Sequence, residues 1–362
     1  MSDQYNNLYQ EKPEIGNLYR EKQKAEFDLL IERLRISAEE QRRAFFRPDT
    51  TSVSAYENDI ENYRRKFRAM LGWPLNVPSH SLPVPKAEVV FVAEDGLGKI
   101  FRVEVEAGDQ LTAYGLLFLP HGEGPHPLVI SQHGGQGTPE LCSGLYGQTN
   151  YNDMTRRILS RGMAVFAPQL LLWNQEDYGP KYDRINMDKQ LKQIGSSIAA
   201  LEIYKIQKCL DYLLSRDDIN AAKVGMIGLS YGGFYTLFAT AVDTRIKAAY
   251  SSCFINDRFV YDWPDFTWFN SGNTFLDAEV CGLICPRVLH IEVGKNDDLF
   301  DYKHAIKEMD KVAALYDQLN VGDRLSREIF HGSHELDVND KAIDWFCLAV
   351  RSIGENPGSD FR

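Results

Sequence analysis

The sequence predicts an α/β fold in which a mostly parallel central sheet is covered on both faces by helices. Three observations carry that expectation. Short apolar segments alternate with amphipathic stretches from residue 87 onward. Those segments read as near-continuous apolar runs, the mark of strands buried on both faces. Finally, the 362 residues are 44% hydrophobic and 25% charged, enough to build a large core under a soluble surface.

The elements follow in chain order. Phe27, Leu30, Ile31 and Leu34 fall at i, i+3, i+4, i+7, and Ile60, Tyr63, Phe67, Met70 and Leu71 repeat the pattern after a polar loop at 48–54, so both stretches read as helices. The Pro-rich run WPLNVPSHSLPVP at 73–85 denies the chain regular hydrogen bonding and reads as an extended connection. This divides the chain into a helical N-terminal extension, 1–85, and an α/β unit, 86–362. AEVVFVAE, KIFRVEV and LTAYGLLFL form an opening antiparallel meander with turns at 95–98 and 107–109. Thereafter come strand HPLVISQ, a helix over 151–161, strand MAVFAPQL, a long helix over 194–215, strand KVGMIGL, and a helix from Tyr231. Strands IKAAYSS and RVLHIEV, a helix over 302–319, strand LSREIF and a helix over 341–353 complete the chain. In such sheets ligands sit beyond the carboxyl ends of the strands.

Composition narrows the function. Forty Lys and Arg against 51 Asp and Glu give a formal charge of −11, a field that repels nucleic acid and anionic lipid. The first twenty residues hold charges and no apolar signal region, and no stretch approaches the roughly 18 to 20 apolar residues of a membrane span. The six cysteines sit in apolar segments, where reduced thiols act as small core hydrophobes. A cytoplasmic protein with no membrane or nucleic-acid partner is expected. Near the start, NLYQEK at 7–12 is echoed by NLYREK at 17–22. Two six-residue copies cannot form a solenoid. They read as a chance echo in an unstructured tail, with a subunit-contact arm as the competing reading.

The chemistry begins at Gly228-Leu229-Ser230-Tyr231-Gly232, a G-x-S-x-G motif between an apolar strand and a helix. A serine on such a turn is held in a strained backbone, and the glycines leave room for strand and helix to meet. A hydroxyl is a poor nucleophile at neutral pH, so a base must take its proton and a further group must hold the base. In α/β-hydrolase chain order the acid follows the next strand but one. After RVLHIEV, the turn GKNDD offers Asp297 as the acid, with Asp298 its competitor. After LSREIF, HGSHE offers His334 as the base, with His331 the rival at the strand's end. A zinc reading fails because HELDV lacks the second histidine of H-E-x-x-H, and the Cys281/Cys285 spacing lacks further ligands, so no metal is expected. Acyl transfer also needs amide donors for the developing oxyanion. Tyr231, after the nucleophile at a helix N-terminus, supplies one, and the loop His133-Gly134-Gly135-Gln136-Gly137 the other, from Gly135.

From about residue 87 to 353 the chain resembles an α/β-hydrolase of the dienelactone-hydrolase-like and acetyl-xylan-esterase-like group, in the phrases HGG, GLSYGGF, LICPRVLHIEVGKND and GSHE. The resemblance implies a Ser230, Asp297, His334 triad with Tyr231 and Gly135 amides as oxyanion donors, and no cofactor. Dienelactone hydrolases proper use a cysteine nucleophile; the serine here disfavours lactone-diene chemistry. G-x-S-Y-G-G is also similar to prolyl-oligopeptidase-like peptidases, yet 85 helical residues cannot build a propeller of 40 to 50 residues per blade, roughly. A serine esterase on small acyl esters, with saccharide deacetylation its expected form, therefore leads. A peptidase or aminoacyl hydrolase comes next, and a non-catalytic scaffold third. Trp173, Asn174, Trp263 and Trp268 are the expected substrate contacts, since rings stack on sugar faces while amides bind hydroxyls. The N-terminal helices are expected to cap the pocket or to join subunits in a homo-oligomer.

Overall fold

A strand that is apolar on both sides must be covered on both sides, and the computed structural model satisfies this with nine strands in one sheet. It describes residues 8–77, 83–108, 110–171 and 181–355. Two helices, α1 (Pro13–Phe45) and α2 (Val53–Leu71), precede the meander β1 (Ala87–Glu94), β2 (Gly98–Gly108) and β3 (Leu111–Pro120). Next come β4 (His126–Gln132), α3 (Pro139–Cys142), α4 (Met154–Leu159), β5 (Ala164–Pro168), α5 (Arg184–Gln193) and α6 (Ile198–Leu213). The chain continues through β6 (Ile219–Leu229), α7 (Tyr231–Val242), β7 (Ala248–Ser252), α8 (Asp277–Ile284) and β8 (Val288–Gly294). It closes with α9 (Tyr302–Gln318), β9 (Leu325–Phe330) and α10 (Asp340–Arg351).

The sheet order is β1-β2-β3-β5-β4-β6-β7-β8-β9. The meander pairs antiparallel through β3 with β5, and β5, β4, β6, β7, β8 and β9 run parallel. The expected mostly parallel, doubly covered sheet is thus present. One face carries α2, α6, α7, α8 and α9 over the larger core, and the other carries α4 and α10 over the smaller. Helix α2 joins the larger core through Tyr56, Ile60, Phe67 and Leu71, each nearly or fully buried. Buried Arg64 adds donors to the carbonyls of Ala241 and Leu283 at 2.8 and 2.9 Å.

Several expected boundaries shift for local reasons. The helix expected over 194–215 begins only at Ile198, because Gly195 turns the chain at φ +81° and Ser197 caps the new helix by accepting from the Ala200 amide at 3.1 Å. The helix expected over 151–161 shrinks to α4, since Asn152 and Asp153 are both left-handed at φ +46° and +56°. The tail expected to be unstructured is helical from Pro13, a residue suited to the first helical position. The middle of the Pro-rich connection and the turn residue at 109 lie outside the described residues. At the sheet's edge, β1 exposes Val90, Phe91 and Val92.

Candidate active site

The parallel strands bring four loops to one edge, and the sharpest is the turn from β6 into α7. Ser230 sits there at φ +59°, ψ −120°, a conformation costing on the order of 1 to 3 kcal/mol for a non-glycine residue. Its amide donates to Ser252 O at 2.9 Å, at the end of neighbouring β7. The flanking glycines are required by distance. A Cβ on Gly228 would lie 2.3 Å from the carbonyl carbon of Gly232, and one on Gly232 would lie 2.1 Å from Gln132 O. The strand, the helix and the end of β4 therefore meet at van der Waals contact around the serine.

Beyond β8, Asp297 Oδ2 accepts from His334 Nδ1 at 2.8 Å, and its Oδ1 accepts the amides of Leu299 and Phe300 at 2.8 and 3.0 Å. Burial pushes the Asp297 pKa up, but the His334 bond, the imidazole's charge and the two amides outweigh it and hold the carboxyl below its ordinary value. Asp298 and His331 are both exposed. Between the paired candidates, Asp297 and His334 are thus the two that meet. The His334 ring rests near Phe300, with centroids 5.6 Å apart, and its loop is held by Asn150 Nδ2 donating to His334 O at 3.1 Å. Since a carboxylate only accepts, Nδ1 carries the proton and Nε2 is left as the basic nitrogen. Among the described residues no hydrogen bond joins Ser230 Oγ to His334. Catalytic hydrogen bonds of this kind are often long and tighten when substrate is seated.

The glycine loop after β4 runs against the serine: a Cβ on Gly134 would lie 3.2 Å from Ser230 Cβ. Its carbonyl accepts from His133 Nδ1 at 2.9 Å and from the Gly137 amide at 3.1 Å. In a trans peptide the C=O and the following N–H point in opposite directions. Fixing the Gly134 carbonyl therefore also fixes the direction of the Gly135 N–H. The Gly134 amide in turn donates to Tyr151 Oη at 2.6 Å, and His133 Nε2 accepts the Leu170 amide at 3.1 Å.

Burial lowers the pKa of His133 from 6.5 to about 4. The unfolded chain takes up a proton here below about pH 6.5 while the native chain resists, so this contribution to stability is full above 6.5 and lost as pH falls toward 4. Urea unfolding at pH 7 and pH 4 is expected to show the wild type losing about 3 kcal/mol more than His133→Gln across that interval.

On the far side of the serine the sequence concealed a buried charge cluster. Arg184, 1% exposed, donates from Nε to Asp265 at 2.7 Å, from Nη1 to Glu202 at 3.1 Å and to Leu171 O at 2.6 Å, and from Nη2 to Tyr235 Oη at 2.7 Å. Tyr231 Oη donates to both Asp265 oxygens at 2.9 and 3.0 Å, which ties the first residue of α7 to this cluster. Burial opposes the arginine's charge, but Glu202 and Asp265 outweigh it and keep it cationic. In sequence these residues look like solvated charges in DRINMD, ALEIY and WPDF, and no spacing distinguishes them. Arg184→Leu leaves two buried carboxylates without a counter-charge, and urea unfolding is expected to show a loss of about 3 to 5 kcal/mol.

The aromatic candidates separate. Trp263, 36% exposed, stacks on Tyr231 at 5.7 Å and approaches Phe300 at 6.0 Å, so one ring spans from the elbow to the ring beside His334. Trp268 is 7% exposed and stacks on Phe238 at 5.6 Å inside the larger core. Trp173 and Asn174 lie outside the described residues. Cys253, Asp297 and His334 place donor atoms within 4.8 Å of one another, an arrangement a metal ion would need as a start. Burial, however, holds the Cys253 thiol protonated, and Sγ lies 3.3 Å from Glu335 O as donor.

Comparison with known proteins agrees with this architecture. A model of the dienelactone hydrolase family matches residues 140–252, which include the elbow. YtaP of Bacillus subtilis (strain 168), named as a hydrolase, is 30% identical over 209 residues, covering 54% of this chain and 68% of YtaP. YuxL of the same strain, named as an uncharacterised peptidase, is 24% identical over 196 residues, which span 52% of this chain but only 24% of YuxL. A solved structure from Bacteroides fragilis NCTC 9343, named as an acetyl xylan esterase, superposes with a TM-score of 0.63 at 14% identity, covering 87% of this chain and 88% of that one, a likeness of fold. Matched at that identity over two thirds of YtaP and by the family model across the elbow, the chain belongs to the dienelactone hydrolase family and is a hydrolase.

Proposed function

We propose that the chain is a serine carboxylic-ester hydrolase working through an acyl-enzyme. The observation that carries this reading is the 2.8 Å bond between His334 Nδ1 and Asp297 Oδ2 at the same sheet edge as the strained Ser230. Ser230 Oγ attacks the ester carbonyl carbon as its proton passes to His334 Nε2. The carbonyl electrons move onto oxygen, facing the Gly135 and Tyr231 amides. Collapse expels the alcohol, which takes the proton from His334. Water then repeats the sequence on the acyl-enzyme, with His334 accepting its proton and returning it to Ser230. Asp297 stays ionised throughout, orienting the imidazole and stabilising its cation.

The substrate class we favour is a small acylated saccharide. The Trp263 ring beside the site supports it, because sugar faces stack on such rings, and so does the fold shared with a protein named as an acetyl xylan esterase. The relative named as a peptidase favours a second reading, hydrolysis of aminoacyl amides. No helix among the described residues is long and apolar enough to cross a membrane. Six buried free thiols support a reducing compartment, the cytoplasm.

A panel of p-nitrophenyl esters of increasing acyl length, acetylated xylo-oligosaccharides and an aminoacyl p-nitroanilide tests these readings together. Fastest turnover is expected on acetyl esters. Dominant anilide cleavage would install the peptidase reading. Absence of turnover, with no fluorophosphonate adduct on Ser230, would favour a non-catalytic scaffold.

A further inference from the structure

Among the described residues, helix α1 is anchored through its C-terminal part. Arg42 pairs with Glu279 at 3.0 Å and donates to Gly272 O at 2.5 Å, and Arg35 pairs with Asp262 at 3.0 Å. From Pro13 to Leu34 every residue except Gly16 is exposed. Those 22 residues, at 1.5 Å each, extend for about 33 Å. A helix in water draws most of its stability from packing an apolar face, and this one has such a face. Ile15, Tyr19, Phe27, Leu30, Ile31 and Leu34 are 41–68% exposed. At 100° per residue they fall within an arc of about 160°.

Charge along the same stretch is divided. Residues 12–24 hold four cations, Lys12, Arg20, Lys22 and Lys24, against Glu14 and Glu21; residues 25–34 hold Glu26, Asp28 and Glu32 against Arg33. Two such helices side by side in parallel would set like charge on like. Antiparallel, the basic half of each lies on the acidic half of the other. With the two-fold axis between residues 24 and 25, Ile15 faces Leu34, Leu18 faces Ile31 and Tyr19 faces Leu30, so three apolar pairs coincide in the register that also sets the basic half of one helix on the acidic half of the other. Six partly exposed apolar side chains at roughly 100 Å² each, with their polar flanks, approach the ~800 Å² per partner of a standard interface.

We infer that α1 is a dimerisation arm, pairing antiparallel with α1 of a second copy of this chain about a two-fold axis. The Leu18-Tyr19 pair of the second NLY repeat lies within this arm. The inference does not depend on the chemistry assigned to Ser230.

Sedimentation equilibrium of the full chain tests it. The expected mass is twice the 41.3 kDa of the monomer. Tyr19→Glu/Leu30→Glu is expected to weaken association at least about 100-fold without moving the thermal midpoint of the dilute monomer. A second measurement fixes orientation: a mixture of Tyr19→Cys and Leu30→Cys proteins is expected to cross-link between unlike chains under mild oxidation. A monomer up to about 100 μM overturns the inference, as does a dimer untouched by the double substitution. Cross-linking only between like chains rejects the antiparallel arrangement. Monomers that sediment with phosphatidylcholine vesicles would assign the face to lipid instead.

Discussion

Replacing Ser230 with alanine is expected to lower kcat for p-nitrophenyl acetate by about 10⁶-fold while leaving the unfolding midpoint close to that of the wild type. The size follows from what is removed. Without Oγ there is no acyl-enzyme, so the two-step path closes. What remains is water attacking a carbonyl that still faces the oxyanion amides, worth roughly 10³ to 10⁴ over bulk water. The side chain is small and the strain at φ +59° lies in the backbone, so alanine inherits the same conformation. Activity within tenfold of the wild type would remove Ser230 from the mechanism.

The second large effect is expected at Asp297. Asp297→Asn should cost about 10⁴-fold in kcat with little change in KM, while Asp298→Asn stays near the wild type. An asparagine amide would donate to His334 Nδ1 in place of the 2.8 Å bond Asp297 now accepts, and so place the imidazole proton on Nε2, where the base must be vacant. The carboxylate's charge, which stabilises the imidazolium, goes with it. The pKa of Asp297 lies below its ordinary value, so its contribution to stability is present above the unfolded value and lost as pH falls through the native one. Urea unfolding across the acid range should therefore show this loss in the wild type and in Asp298→Asn but not in Asp297→Asn. Equal losses of kcat in Asp297→Asn and Asp298→Asn would contradict the assignment.

The sheet was legible in the sequence because period and composition act locally. Strands β1, β4 and β9 occupy the stretches read for them, since an apolar run bounded by turn residues leaves few other choices. The elbow was legible for the same reason: glycine, serine and glycine meet a backbone demand within five residues. Loop order placed an acid in GKNDD without separating Asp297 from its competitor Asp298, and only the fold sets one carboxylate against an imidazole 37 positions away. The cluster around Arg184 was illegible, because burial turns ordinary charges into a network and burial of a polar residue leaves no periodic trace. Trp263 and Trp268 looked alike as aromatic residues in one loop, yet one ring stacks by the site and the other enters the core.

The elbow also divides what can change from what cannot. Gly228 and Gly232 are fixed because an added Cβ would fall 2.1–2.3 Å from backbone carbonyl atoms, whereas the demand on Ser230 between them is a backbone one, φ +59° and an amide bond to Ser252 O. An exchange of oxygen for sulfur at residue 230 would leave those backbone demands as they are. Reactivity can then drift while the scaffold that aims it is inherited unaltered.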